Sequence, residues 1–115
     1  MYQYKAKVLR VLDGDTIEVE IDLGFDIKLD RKIRIIAENH SYFDTPETWR
    51  PRNEAEKLHG LQAKARAEEL MLNKIVILDS LKDGKYNYVA KIKLENNVDY
   101  GDLMINEGFL KKDSY

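Results

Sequence analysis

Between residues 17 and 22 the chain reads Ile17-Glu18-Val19-Glu20-Ile21-Asp22, and this strict apolar–acidic alternation constrains the fold more than any other feature. Side chains alternate across a strand with a period of two, so such a run fits a strand with one face in a core and the other in water. Residues 4–12, rich in Val, Leu and Tyr, predict a strand before it, with Asp13-Gly14 as the turn between them. Gly24 marks a second turn, after which Ile27, Leu29, Ile33, Ile35 and Ile36 predict a long third strand.

The period then changes. Residues 54–72 carry Leu58, Leu61, Ala65 and Leu72 on one helical stripe, with Ala, Glu, Lys and Arg filling the rest. Gly60 costs such a helix about 1 kcal/mol relative to Ala, which moves its expected start toward Leu58 rather than Asn53. Asn73 is the expected stop. Residues 74–78 and 86–94 predict two further strands, joined by a hairpin at Asp83-Gly84, and residues 99–106 a short helix closed by Gly108. Strands in runs, interrupted by a helix, are not the alternating pattern of a parallel sheet. The expectation is an α+β, mainly β, domain: five short antiparallel strands in an OB-type barrel with two helices.

The 115 residues, 43% hydrophobic and 35% charged, suit one globular domain over residues 1–115. No cysteine is present, so neither disulfides nor thiolate metal sites contribute. No apolar run approaches the roughly 20 residues of a membrane span, so no membrane partner is expected. Met1-Tyr2-Gln3-Tyr4-Lys5 lacks the features of a secretory leader, which gives a cytoplasmic location as the expectation, with a monomer as the expected state. The formal net charge of −2 does not advertise a nucleic-acid-binding face, although it does not forbid one.

Two short motifs could carry chemistry: Asp13-Gly14-Asp15-Thr16 at the turn into the second strand, and Asp44-Thr45-Pro46-Glu47-Thr48 before the helix. Each alone has a plain structural explanation, the first as a turn and the second as a helix start. Together with His59-Gly60-Leu61-Gln62-Ala63, Lys85-Tyr86-Asn87 followed by Val89-Ala90, and Asn106-Glu107-Gly108-Phe109, they resemble the staphylococcal nuclease (thermonuclease) family. The resemblance spans about residues 5–111. It implies a calcium-dependent phosphodiesterase acting on DNA or RNA, with Asp15, Asp44 and the Thr45 carbonyl as Ca²⁺ ligands. It also implies Glu47 as the base or orienter of the attacking water, Arg34 as a phosphate clamp, and Lys85, Tyr86 and the position of Tyr88 as nucleotide contacts. Oxygen ligands of this kind suit Ca²⁺, which polarises a phosphoryl oxygen.

The chain departs from that pattern twice. The family's strand arginine lies five residues before the second aspartate, whereas Arg34 precedes Asp44 by ten. Glu38-Asn39-His40-Ser41-Tyr42 therefore reads as an insertion, roughly 16 Å of added chain at a strand's rise, expected to bulge as a loop at the mouth of the site. Tyr88 stands where the resemblance implies a second arginine, and a tyrosine offers one donor without positive charge. The loop adds His40, Tyr42 and Phe43 near Trp49 and Tyr86. Of these, His40 alone reads as a solvated imidazole, His59 as a packing residue, and Lys111-Lys112 as ordinary solvated charge.

Three functions follow as expectations: an impaired nuclease, a non-enzymatic binding module (natural or engineered) that meets a protein or small molecule through the loop from Glu38 to Phe43, and a general OB module that stacks single-stranded nucleic acid on aromatics.

Overall fold

The computed structural model describes residues 2–39, 43–80 and 88–115. Their elements run β1 (Tyr2–Asp13), β2 (Thr16–Asp22), β3 (Lys28–Ile36), α1 (Glu54–Met71), β4 (Ile75–Ser80), β5 (Tyr88–Lys93) and α2 (Tyr100–Asn106). The strands form a closed, OB-like barrel in the order β1-β2-β3-β5-β4. Four neighbouring pairs are antiparallel, but β3 and β5 are parallel, with Arg34 beside Val89, which corrects the all-antiparallel expectation. The reason is simple: a closed ring with an odd number of strands cannot alternate direction all the way round.

β1 bonds both β2 and β4, and register shifts between Val8 and Arg10 and between Val11 and Asp13 let it bend to serve both. Ile17, Val19 and Ile21 face the core, as the alternation predicts, alongside Ala6, Val8, Ile35 and Leu78. Among the described residues no helix is long and apolar enough to cross a membrane. The expected turn at Asp83-Gly84 lies outside the described residues.

α1 differs from its expectation at both its start and its face. It begins at Glu54, capped by the Asn53 side chain, which accepts from the Glu56 N–H. The buried stripe is Glu56, Gly60, Ala63, Ala67 and Met71, whereas Leu58 and Leu61 lie in solvent and Ala65 is also exposed. A Cβ on Gly60 would stand 2.7 Å from the Glu47 carbonyl oxygen. The helix therefore packs against the backbone of residues 46–47, where small side chains win over large ones. Asn73 follows the helix with φ of +61°, the left-handed conformation of a helix stop.

α2 is capped by Asp99, whose side chain accepts from the Asp102 N–H, and Gly108 follows the helix with φ of +87°. Its Gly101 lies so near Ala37 that a Cβ would fall 2.6 Å from the Ala37 Cα. The contact sets the end of β3 against α2 and fixes where the chain leaves the barrel.

Candidate active site

The turn Asp13-Gly14-Asp15-Thr16 and the segment from Phe43 to Thr48 lock into each other residue by residue. Asp13 accepts from the Thr48 N–H at 3.4 Å and from the Thr48 hydroxyl. Gly14 faces Thr45 so closely that a Cβ would lie 2.8 Å from Thr45 Cγ2. The Gly14 carbonyl accepts from the buried Tyr100 hydroxyl at 2.5 Å. Asp15, only 4% exposed, accepts through Oδ2 from the Thr45 N–H at 3.0 Å and through Oδ1 from the Thr16 hydroxyl at 2.9 Å. From the far side, the Lys111 N–H donates to the Asp44 carbonyl at 2.8 Å.

Arg34 ties this arrangement to the barrel. It sits on the outward row of β3, between the buried Ile33 and Ile35, and the Ile35 N–H donates to the Asp15 carbonyl. Its guanidinium spans both carboxylates: Nη1 lies 2.9 Å from Asp15 Oδ2 and Nη2 lies 3.4 Å from Asp44 Oδ1. Nη2 also donates to the Phe43 carbonyl at 3.0 Å. Arg34, Asp15, Asp44 and Thr45 are thus brought together despite the ten-residue spacing from Arg34 to Asp44.

The electrostatics of the pair are unusual. Burial raises the Asp15 pKa above its ordinary value, the Thr45 N–H and Arg34 oppose that rise, and a hydrogen bond shared with the Asp44 carboxyl adds to it. Two carboxyl groups this close call for a positive charge or a proton between them, and the Arg34 guanidinium supplies such a charge. Thr45 Oγ1, in the same cluster, is buried without a hydrogen-bond partner among the described residues. Among the described residues no group of three or more His, Cys, Asp or Glu side chains gathers as a metal cage. Asp15, Asp44 and the Thr45 carbonyl are the oxygens here that could hold a hard cation, with water completing its shell.

Glu47 is linked to Asp44 through Lys111, whose N–H donates to the Asp44 carbonyl. Its Oε1 lies 3.9 Å from Lys111 Nζ, which lies 3.5 Å from Oε2 of the fully buried Glu56. Glu56 also accepts from the Arg52 N–H at 2.8 Å and from Arg52 Nε at 3.0 Å. Burial alone would raise the Glu56 pKa, but these donors and the Lys111 charge bring it down to about 2. Sequence reasoning missed this group and took Lys111 for solvated charge. The only local signal was the spacing of four between Arg52 and Glu56.

Other sequence candidates fall elsewhere. Tyr88 is 54% exposed, pairs Ile33 and shares the row of the inward-facing Ala90 and Ile92, on the opposite face of the sheet from Arg34, which pairs Val89. The guanidinium over its ring, at 5.4 Å, belongs to Arg31. Lys85, Tyr86, His40 and Tyr42 lie outside the described residues. Phe43, expected in the loop, is instead a core residue packed edge-on against Tyr100 with centroids 6.1 Å apart. Glu38 and Asn39 are tied to α2: their N–H groups donate to Asp99 and Asp102, and Lys93 pairs with Glu38 at 2.6 Å. His59 packs as expected, stacked on Phe109 and bonded to the Tyr115 hydroxyl at 2.6 Å.

No protein-family model matches the chain, and no curated protein matches it either.

Proposed function

We propose that the chain is a calcium-assisted phosphodiesterase acting on nucleic acid, of the staphylococcal nuclease type, with Arg34 as its phosphate clamp. The observation that carries this reading is the Arg34 guanidinium spanning Asp15 and Asp44 at 2.9 and 3.4 Å. Asp15, Asp44 and the Thr45 carbonyl are the oxygens that would hold Ca²⁺, which supplies charge to polarise a phosphoryl oxygen when bound. Arg34, 36% exposed at its side chain, has enough access to trade a carboxylate for a phosphate oxygen, to which its planar fork donates two parallel bonds. Glu47, with a partly exposed carboxylate, is the group suited to orient or deprotonate a water. The Lys111 ammonium beside it holds that carboxylate in place.

The rate should be low. Tyr88 stands where the resemblance implies a second arginine and offers no guanidinium fork, and removing one preorganised donor from a developing oxyanion costs about 10²–10³ in other enzymes. The rival reading, a binding module built on the loop from Glu38 to Phe43, draws less support: Phe43 is in the core, and Glu38 and Asn39 are committed to α2.

The test is cleavage of a labelled single-stranded oligonucleotide with and without millimolar CaCl₂. Slow, calcium-dependent cleavage that falls at least about 100-fold in Asp44→Asn and in Arg34→Ala is expected. Wild-type protein that leaves the oligonucleotide intact under those conditions would overturn the enzymatic reading.

A further inference from the structure

The mechanism above leaves unused the chain's single tryptophan, which stands two residues beyond Glu47. Trp49 is 70% exposed, although an indole is among the side chains that gain most from burial. Its loop is not loose. Thr48 is held by Asp13 on one side, and on the other Arg52 bonds Glu56 and donates to the carbonyls of Lys112 and Asp113 at 2.6 and 2.7 Å. Between these anchors Arg50 adopts φ of +56°, a conformation that costs a non-glycine residue free energy and is kept at sites with a use for it. That backbone brings the Arg50 guanidinium over the indole, 4.4 Å from its centroid. Among the described residues Arg50 makes no ion pair with a carboxylate.

One face of the ring is therefore backed by a cation, while the residue as a whole stays largely in water. Trp49 adjoins Thr48, whose N–H bonds Asp13 in the same turn as Asp15, so the indole stands on the segment that meets the candidate phosphate site. We infer that Trp49 is a stacking platform for an unpaired nucleobase, with Arg50 drawing in the adjoining phosphate, and that the ligand class is single-stranded nucleic acid. The reading rests on the phosphodiesterase proposal for the neighbouring phosphate. Its own basis is the ring and the charge: every base has a π-face that an indole can cover, and a guanidinium both stacks and binds phosphate. Bases inside a duplex have no free face, so a duplex is excluded from the platform.

Because the tryptophan is unique, its fluorescence reports stacking directly. Without calcium, a short oligothymidylate should quench it, an oligouridylate of equal length should do the same, and a duplex of equal length should not. By anisotropy of a labelled oligonucleotide, Trp49→Ala should bind about 10- to 100-fold more weakly, and Trp49→Phe should recover most of that loss. Quenching without any cleavage on adding CaCl₂ would support the platform while removing the hydrolase reading. Cleavage with unaltered affinity in Trp49→Ala would remove the platform and leave the hydrolase reading standing. Equal quenching by the duplex, or no quenching at all, overturns the inference.

Discussion

Asp15 and Glu56 are both withdrawn from water, at 4% and 0% exposure, yet their surroundings drive them in opposite directions. Around Glu56, two donors from Arg52 and the ammonium of Lys111 outweigh burial and hold the carboxylate at about 2. Around Asp15 burial prevails, because Arg34 is shared with Asp44 and the two carboxyl groups meet. The first arrangement fastens α1 to the chain's last turn. The second holds the Asp15 carboxyl pKa above its ordinary value beside a part-exposed arginine, a kind of perturbation that gathers at functional sites.

The largest effect should come from breaking the first arrangement. Glu56→Ala strips Arg52 and Lys111 of their common partner, and urea denaturation should register a loss of about 3 kcal/mol. The pH dependence has a definite sign. The folded pKa of Glu56 lies below its ordinary 4.5, so its stabilisation is complete above that value and fades as pH falls toward about 2. Glu56→Gln should flatten that acid limb.

A smaller loss should follow from Gly60→Ala. The helix would gain about 1 kcal/mol in propensity, but the new Cβ would press on the Glu47 carbonyl at 2.7 Å. A net destabilisation of about 2 kcal/mol is expected in thermal or urea unfolding. A gain in stability would mean that α1 does not press on residues 46–47.

The smallest effect should have the opposite sign. Asp15→Asn removes one of two crowded carboxyl groups, so the variant should be about 1 kcal/mol more stable than wild type at pH 7. The folded pKa of Asp15 is raised above 3.8, so its favourable contribution is complete below that value and is lost as pH rises through the folded pKa. The advantage of asparagine should therefore grow with pH.

The barrel was legible because Ile17, Val19 and Ile21 state their period openly and strands obey it. The face of α1 was not, because Leu58 and Leu61 outweigh Gly60, Ala63 and Ala67 in any count of apolar residues. What selects the small residues is the backbone of a segment distant in sequence, and periodicity holds no trace of it. The cluster of Asp15, Asp44, Thr45 and Arg34 could be assembled from motif resemblance despite the longer loop. The role of Phe43 could not, since a core ring and a loop ring look alike until Tyr100, 57 residues later, is brought beside it. Lys111 was misread for the same reason: its partners Glu47 and Glu56 meet it only in the fold.

Carboxyl-detected NMR titration of Asp15 and Glu56, with and without CaCl₂, tests the contrast most directly. Glu56 should titrate near 2 in both conditions, whereas Asp15 should titrate above 3.8 without calcium and shift downward when calcium is added, since a bound cation favours the carboxylate. Asp15 titrating at or below 3.8 without calcium, or indifferent to calcium, would contradict the account.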